Sequence, residues 1–245
     1  MTRRRFIADT WTATTATLTG DQAVHLARVL RATPGQIYDI VANGFLHRAE
    51  ITSVSEQKVD LTLHEELSGE AALPLHLLLA VFKFDHMEWA IEKSTELGIA
   101  RITPILARRT EKHLAQSSAK RVERWRRIAL EASKQSRRTD IPEVADPIAL
   151  KAALDQEKSP TRILLSETEQ QTSLAAALEA SLRTTGSEAV SQKVAIAIGP
   201  EGGWTPEEMS LFIQHAWQPV TLGSRILRAE TAAIAAIAIA TTHLI

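Results

Sequence analysis

Two successive units of strand, glycine-rich loop and helix near the C-terminus constrain the fold of this chain most strongly. The first unit reads VAIAIGPEGGWTPEE and spans Val194 to Glu208. Its apolar run predicts a buried strand. Thr205 and Pro206 predict a helix start, because threonine caps helices and proline fits their first turn. Glu208 stands where a capping box needs its carboxylate. The second unit, VTLGSRILRAETAAIAAIAIA, spans Val220 to Ala240. Two such units side by side predict a ligand site at their loops.

The middle of the chain alternates between predicted strands and helices. Leu75–Phe82 is a continuous apolar run, which predicts a strand buried on both faces. Asp85 is predicted to cap a helix that extends to Leu97 and ends at Gly98, and a strand follows over Ile99–Ala107. The other predicted elements are helices over Ala119–Ser136, Ile148–Leu154 and Ser173–Leu182, strands over Ile141–Val144 and Ile163–Ser166, and a surface loop over Arg183–Gln192. This alternation predicts a parallel sheet with helices on both faces.

The N-terminal part is predicted to form a compact, β-rich, barrel-like module. Asn43-Gly44 between the runs Gln36–Ala42 and Phe45–Val54 is a strong hairpin signal. Lys58–His64 alternates apolar and polar residues, as a half-buried strand does. A strand over Arg4–Ala8 and a short helix from Thr19 to about Leu30 complete the module.

The length and composition of the chain limit the classes of protein to which it can belong. The 245 residues are enough for two small domains, and we expect one over residues 1–70 and the other over residues 74–245. Cysteine is absent, which excludes disulfides, thiolate metal sites and a cysteine nucleophile. No apolar run approaches the roughly 20 residues that span a bilayer, and the N-terminus lacks the apolar core of a signal peptide. We therefore expect a cytoplasmic protein that does not enter the membrane.

Positive charge is concentrated in one segment, although the formal net charge is only −1. Residues 101–138 contain twelve Lys and Arg but only three acidic residues. A local excess of this size favours a surface that binds a polyanion. A solvated helix face is the alternative.

The glycine loops do not match the common nucleotide-binding or hydrolytic motifs. Glu201 breaks the pattern of a dinucleotide fingerprint, and no Gly-Lys-Ser/Thr follows to make a P-loop. His64-Glu65-Glu66 lacks the second histidine of a zinc hydrolase, and Gly223-Ser224-Arg225 is not a nucleophile elbow. We therefore expect no metal and a pocket built from the backbone for a flat ligand, with ordinary strand-to-helix turns as the alternative.

Both glycine loops resemble the signature of the SPOUT methyltransferases. The two segments are Ile198-Gly-Pro-Glu-Gly-Gly and Leu222-Gly-Ser-Arg-Ile-Leu-Arg-Ala-Glu-Thr-Ala. More narrowly, the chain resembles the bacterial 16S rRNA (uracil-N3)-methyltransferase family along nearly its whole length. The segments that carry this wider resemblance are Arg28-Val-Leu-Arg31, Glu92-Lys-Ser-Thr-Glu-Leu-Gly98, Ile102-Thr-Pro104, and Gln135-Ser136 followed by Arg138.

The resemblance implies an α/β fold with a trefoil-knotted, SPOUT-type parallel sheet in the C-terminal domain. It implies a small N-terminal PUA-like barrel that helps to bind rRNA. S-adenosylmethionine would be the cofactor, and 16S rRNA or the 30S subunit would be the partner. The chain would act as a homodimer with active sites at the subunit interface, and it would methylate N3 of a uridine near the decoding centre.

The resemblance also implies which residues bind the cofactor and the RNA. The expected cofactor-binding residues are Leu165, Ser166, Glu167, Ile198, Gly199, Pro200, Glu201, Gly202, Gly203, Leu222, Gly223, Ile226, Leu227, Arg228, Thr231 and Ala232. The expected RNA-binding residues in the N-terminal module are Arg3, Arg4, Arg5, Arg28 and Arg31.

Three side chains are candidates for the chemistry. N3 of uracil carries a proton, so the acceptor must lose this proton or have its anion stabilised. Arg228 is the first candidate for stabilising the negative charge, and Arg138, acting from either subunit, is the second. Glu201 is the candidate for orienting the base or accepting its proton. The alternatives are structural: a salt bridge from Arg228 to Glu230 or Glu201, and a loop-stabilising or helix-start role for Glu201.

Several positions depart from the pattern of the resembled family. Phe84 and Arg137 stand where the family usually has glycine, Val41-Ala42 replaces Asp-Gly, Lys134 replaces glutamate, Ser224 replaces proline and Ala229 replaces threonine. The departures at Phe84, Val41-Ala42, Arg137 and Lys134 concern RNA contacts. Those at Ser224 and Ala229 concern the rigidity of the second loop.

Other functions remain open at this point. One is a SPOUT methyltransferase that acts on tRNA or 23S rRNA, at the base or at the ribose. Another is a non-catalytic rRNA-binding assembly factor. A nucleotide-binding oxidoreductase is disfavoured because the dinucleotide fingerprint is absent.

Overall fold

The computed structural model describes residues 5–68, 72–185 and 193–244. These residues form two compact units. The first contains the described residues before Ala72 together with Ser133–Ile141, and the second contains Ala72–Ala132 and the described residues from Pro142 onward. Most of the predicted surface loop Arg183–Gln192 lies outside the described residues, and its first three residues instead extend a helix.

The first unit is built on a β-sheet. Its strands are β1 (Arg5–Ile7), β2 (Thr10–Trp11), β3 (Thr15–Thr19), β4 (Ile37–Ala42), β5 (Phe45–Val54) and β6 (Lys58–Leu67). They lie in the order β1-β4-β5-β6-β3-β2. A short helix, α1 (Gly20–Val24), continues into a π-helical turn over His25–Val29. The predicted hairpin is confirmed: Asn43 and Gly44 join β4 to β5 with φ angles of 53° and 79°, which an Asn-Gly turn tolerates.

The second unit is a parallel sheet covered by helices. Its strands are β7 (Leu73–Ala80), β8 (Ile99–Leu106), β9 (Glu143–Val144), β10 (Ile148–Ala149), β11 (Thr161–Leu165), β12 (Val194–Ile198) and β13 (Gln218–Val220). The main order is β10-β8-β7-β12-β11-β13, and β9 also pairs with β8. Neighbouring strands pair in parallel. The predicted parallel sheet is therefore confirmed.

The helices of the second unit lie on both faces of this sheet. They are α2 (Phe84–Glu96), α3 (Lys112–Ser136), α4 (Leu150–Gln156), α5 (Leu174–Thr185), α6 (Pro206–Gln214) and α7 (Ala229–Leu244), and the end of α3 belongs to the first unit. Side chains alternate along β12, as strand geometry requires. Val194, Ile196 and Ile198 pack in one cluster with residues of α2, α3, α5 and α7. Ala195 and Ala197 pack in another cluster with residues of α4 and α6.

Three predicted helix starts are wrong by two residues or more. The helix predicted from Ile148 begins at Leu150, because Ile148 and Ala149 form β10 and pair with β8. Helix α2 begins one residue before Asp85, so Asp85 lies in the first turn, where its carboxylate favours the helix dipole instead of capping the end. Helix α3 begins at Lys112 and not at Ala119. Its first two turns are mostly polar, but Leu114 and Ser118 are buried, and this tertiary packing extends the helix. None of the described helices has the length and apolar character needed to cross a membrane.

Arg137, one of the departures from the family pattern, has a left-handed backbone. Its φ is +61°, a conformation that glycine adopts freely and other residues adopt at a cost. Its carbonyl oxygen accepts a hydrogen bond from the guanidinium of Arg5. The backbone geometry gives a physical reason for the glycine that is usual at this position.

The strain at Arg137 leads to a stability prediction. We expect Arg137→Gly to be more stable than Arg137→Ala by about 1 kcal/mol, because both remove the side chain but only glycine relieves the left-handed conformation. Urea unfolding of the two variants measures the difference. Equal stability of the two variants would show that the backbone at this position is not strained.

The end of α4 is fastened to β7 by a buried cluster. His76 Nδ1 lies 2.5 Å from Glu157 Oε2, and His76 Nε2 lies 2.8 Å from the hydroxyl of Thr103. The backbone N–H of Ser159 donates to Glu157 Oε1 over 2.7 Å. Burial alone would raise the pKa of the Glu157 carboxyl, but the hydrogen bonds from His76 and Ser159 outweigh this effect and lower that pKa to about 2.

This lowered pKa predicts how the stability depends on pH. Since the pKa falls from 4.5 to about 2 on folding, the carboxylate stabilises the fold above pH 4.5, and this stabilisation is lost as the pH falls toward 2. We expect Glu157→Gln to be less stable than the wild type by about 2 kcal/mol at pH 7. The difference should shrink between pH 4.5 and pH 2 in thermal unfolding. A difference that stays constant over this range would contradict the assignment.

Candidate functional site

Three neighbouring strands end at the same edge of the parallel sheet and are followed by loops. These strands are β12, β11 and β13, in this spatial order. The loops border a cavity of about 720 Å³. Its lining residues lie within the segments 165–170, 198–204 and 220–229, at Met209 in α6, and at Ala232 in the first turn of α7. Ligands of parallel α/β folds bind at this edge, beyond the carboxyl ends of the strands.

The cavity brings together the predicted cofactor-binding residues with two exceptions. Gly202 and Thr231 are not among the lining residues, whereas the other residues predicted for this role are. Gly202 lies against the side chain of Arg109, and Thr231 is exposed on α7. Contact of the lining residues with a cofactor stays a prediction.

The sequence interpretation missed part of the cavity wall. The additional lining residues are Thr168, Glu169, Gln170, Trp204, Met209, Val220, Thr221, Ser224, Arg225 and Ala229. Thr168, Glu169 and Gln170 belong to a polar run that directly follows a buried strand, and this run was the available signal in the sequence. Backbone N–H groups of Thr172 and Gln171 donate to the Glu169 carboxylate and lower its pKa. This carboxylate therefore stabilises the turn that follows β11.

The backbone conformation of Gly203 in the first glycine loop favours glycine. Its φ is +69°, and a Cβ added there would lie 2.7 Å from Glu167 Oε1. Its N–H donates to the carbonyl of Pro200 over 2.8 Å, which closes the turn. At Gly199 an added Cβ would lie 3.1 Å from the indole nitrogen of Trp204. Backbone atoms therefore form this part of the wall, as the sequence analysis expected.

The helix that follows this loop begins with the predicted capping box. The Thr205 hydroxyl accepts from the N–H of Glu208, and Glu208 Oε2 accepts from the N–H of Thr205 over 2.9 Å. The other carboxylate oxygen of Glu208 accepts from the backbone N–H of Arg108 over 2.8 Å. The Glu208 residue is 3% exposed. One buried carboxylate thus joins the start of α6 to the turn after β8.

Two of the three candidate catalytic residues line the cavity. Arg228 and Glu201 are exposed lining residues, and among the described residues no ion pair involves either of them. Glu230, a possible partner of Arg228, is buried and instead lies 3.4 Å from His86 Nδ1. Arg138 belongs to the first unit and does not line the cavity. Its largely buried guanidinium lies 2.5 Å from a carboxylate oxygen of Asp140.

The predicted RNA-binding arginines of the first unit differ in their surroundings. Arg3 and Arg4 lie outside the described residues. Arg28 is exposed and lies 2.5 Å from Glu56 Oε2. Arg31 lies two residues after the end of the π-helical turn and has a φ of +50°. Unusual helical turns of this kind are frequent at functional sites.

The basic segment 101–138 is partly neutralised by acidic neighbours. Arg121 and Arg124 on α3 both face Glu88 on α2, at 3.5 Å and 2.7 Å. Arg126 contacts Glu123 and Asp146. Several of these basic side chains are therefore already paired with carboxylates, so their number alone overstates the case for a surface that binds a polyanion.

Among the described residues, no group of three or more His, Asp or Glu is arranged to hold a metal ion.

Two family sequence models match the chain. The model described as an RNA methyltransferase domain matches residues 69–241. The model described as an RNA methyltransferase PUA domain matches residues 18–63.

Curated relatives match over most of the chain. The ribosomal RNA small subunit methyltransferase E of Synechocystis sp. is 36% identical, over 91% of this chain and 72% of the relative. The protein of the same name from Bacillus subtilis is 34% identical, over 92% of this chain and 89% of the relative.

Solved structures match over nearly the whole chain. The ribosomal RNA small subunit methyltransferase E of Neisseria gonorrhoeae, solved with bound S-adenosyl methionine, is 30% identical with a TM-score of 0.79, over 98% of both chains. A putative methyltransferase of Legionella pneumophila, also in complex with this cofactor, is 28% identical with a TM-score of 0.79, over 99% of this chain and 98% of the other.

These matches confirm the predicted fold class, an α/β domain with a parallel sheet and an N-terminal PUA-like β unit. They also confirm the predicted kind of enzyme, and both solved relatives hold the predicted cofactor. The chain belongs to the RNA methyltransferase family, with relatives that are named ribosomal RNA small subunit methyltransferase E.

Proposed function

We propose that this chain transfers a methyl group from S-adenosylmethionine to N3 of a uridine in the 16S rRNA of the small ribosomal subunit. One observation carries the proposal: both predicted glycine loops border the same cavity, at the carboxyl edge of the parallel sheet. The names and the bound cofactor of the relatives support the choice of reaction.

The walls of the cavity fit S-adenosylmethionine. Gly203 lines the cavity without a side chain, so a ligand can approach its backbone closely. The indole ring of Trp204 lines the cavity, and its buried N–H has no hydrogen-bond partner among the described residues. Apolar side chains, among them Ile198, Leu222 and Leu227, line the cavity and suit a flat base. S-adenosylmethionine supplies an activated methyl group when it is bound.

The residues of the chain would act mainly by positioning and by electrostatics. Methyl transfer needs the acceptor nitrogen in line with the methyl group, and correct positioning lowers the barrier. Glu201 accepts the N3 proton of the uracil, directly or through water. Arg228 stabilises the negative charge that develops on the base oxygens. Arg138 is the second candidate for this role, and it acts only if its pair with Asp140 opens.

The first unit is proposed to bind the RNA. Arg5, Arg28 and Arg31, together with Arg3 and Arg4, would contact phosphates, so the RNA affinity should fall steeply with salt. Arg28 would exchange its partner Glu56 for a phosphate. The uridine has to be unpaired or flipped out of its stack to enter the cavity. We propose that the RNA-binding domain spans residues 1–70, that the methyltransferase domain spans residues 74–245, and that the protein acts in the cytoplasm.

A homodimer is part of the proposal. Ile234, Ala238 and Ile239 on α7 are only partly buried, and Trp89 on α2 is 50% exposed. Helix α2 packs against α7. Apolar groups that remain accessible on adjacent helices support an interface with a second copy. Light scattering of the purified chain tests this, and a mass of 26.9 kDa would contradict it.

The proposed reaction predicts the outcome of a deletion experiment. We expect the small-subunit rRNA of a deletion strain to lack 3-methyluridine at one position, and complementation to restore it. Nucleoside mass spectrometry of rRNA fragments measures both. Loss of a different methylated nucleoside would indicate another RNA target. Unchanged methylation together with defective subunit assembly would indicate a non-catalytic assembly factor.

The assigned roles predict how variants at the cavity behave. We expect Arg228→Ala and Glu201→Gln each to lower kcat by about 100-fold or more, because charge stabilisation and proton transfer each contribute factors of this size. The affinity for S-adenosylmethionine, measured by calorimetry, should fall much less than kcat, because many other residues of the proposed site contact the cofactor. Arg183→Ala and Glu207→Gln, which alter exposed residues outside the cavity wall, are the matched controls. Turnover at the level of these controls would remove either residue from the chemistry.

A further inference from the structure

The turn between β8 and α3 contacts the first glycine loop through one side chain. Arg109 Nη1 donates to the carbonyl oxygen of Gly202 over 2.6 Å. The aliphatic part of the same side chain lies along the loop, because a Cβ added at Gly202 would be 3.4 Å from Arg109 Cδ. Arg109 is not among the residues that line the cavity. Its side chain therefore supports the glycine loop without lining the cavity.

This turn is itself fixed at two points. The hydroxyl of Thr110 donates to the buried carbonyl of Val81 over 2.9 Å. The backbone N–H of Arg108 donates to the buried carboxylate of Glu208 over 2.8 Å. The backbone that carries the Arg109 side chain is thus already fixed. The hydrogen bond from Arg109 to Gly202 therefore costs less conformational entropy.

Two charged side chains lie close to the next residue of the loop. Glu167 Oε1 lies 2.7 Å, and Arg109 Nη1 lies 3.8 Å, from the position of a Cβ at Gly203. Gly203 therefore lies near both a guanidinium group and a carboxylate. Two adjacent glycines have no side chains with which to pack, and each populates many backbone conformations. Contacts from outside the loop have to select one of them.

We propose that Arg109 is a positioning residue for methyl transfer, which holds the Gly202–Gly203 backbone in the conformation that binds S-adenosylmethionine. Arg109 does not touch the cofactor in this role, and it acts through the carbonyl of Gly202. The inference rests on the proposed function, because it assigns the glycine loop to the cofactor. It also separates Arg109 from the other basic residues of the segment 101–138, whose charges are candidates for RNA contact.

The neighbouring arginine provides a matched control. Arg108 is also exposed, but its contact with Glu208 uses only the backbone N–H, so Arg108→Ala keeps this contact. Arg109→Ala removes the hydrogen bond to Gly202. Arg109→Lys keeps a positive charge and one donor, but it loses the planar group that lies along the loop.

We expect Arg109→Ala to weaken the binding of S-adenosylmethionine about tenfold in calorimetry, which is the effect of losing one charge-assisted hydrogen bond. At saturating cofactor its kcat should stay within about threefold of the wild type. Hydrogen exchange at residues 199–204 should be faster than in the wild type. Arg109→Lys should recover part of the affinity, and Arg108→Ala should match the wild type in all three measurements.

Several outcomes would overturn the inference. One is equal cofactor affinity and equal loop exchange in Arg109→Ala and Arg108→Ala. Another is loss of RNA affinity in Arg109→Ala with unchanged cofactor affinity, which would make Arg109 a phosphate contact. Wild-type protein that does not bind S-adenosylmethionine would instead overturn the proposed function. In that case, faster loop exchange in Arg109→Ala alone would still identify Arg109 as the residue that orders the loop.

Discussion

The buried carboxylate of Glu208 is the interaction on which the geometry of the cavity depends. Each of its oxygens accepts a hydrogen bond from a backbone N–H, that of Thr205 and that of Arg108. A buried carboxylate is stable only when it is satisfied in this way. Because both donors are backbone groups, the start of α6 and the turn after β8 are fixed relative to each other. Arg109 in that turn then reaches the glycine loop that precedes α6.

The features that could be predicted from the sequence are those that short segments determine. Val194–Ile198 was predicted as a strand and is β12 with the same bounds. The capping box of α6 and the hairpin at Asn43-Gly44 were equally local and equally well predicted. Both glycine loops were predicted because each follows an apolar run and precedes a helix, and the resemblance named the residues that are expected to bind the cofactor there. Most of the wall of the cavity was therefore identified in advance.

The features that could not be predicted depend on residues far apart in the chain. The pair of His76 with Glu157, and the hydrogen bond of Arg109 to Gly202, join segments separated by 81 and 93 residues. The early start of α3 depends on the burial of Leu114. Strand β2 has only two residues, and β3 alternates threonines with buried Ala16 and Leu18 over only five residues, so its pairing with β6 is needed to stabilise it. Among the family departures, Phe84 packs edge-on against Trp125, whereas nothing in the structure explains Ser224 or Ala229.

The order of strands in the parallel sheet has a consequence for how the chain folds. β12 lies between β7 and β11, although both of these strands precede it in sequence. During synthesis β7 and β11 therefore lack their shared neighbour until residues 194–198 have been made. Parallel pairings over such sequence separations form slowly, and unpaired edges are prone to aggregation in the meantime. The cavity is complete only after α7 has docked, so a chain that is interrupted before its last helix has no intact cavity.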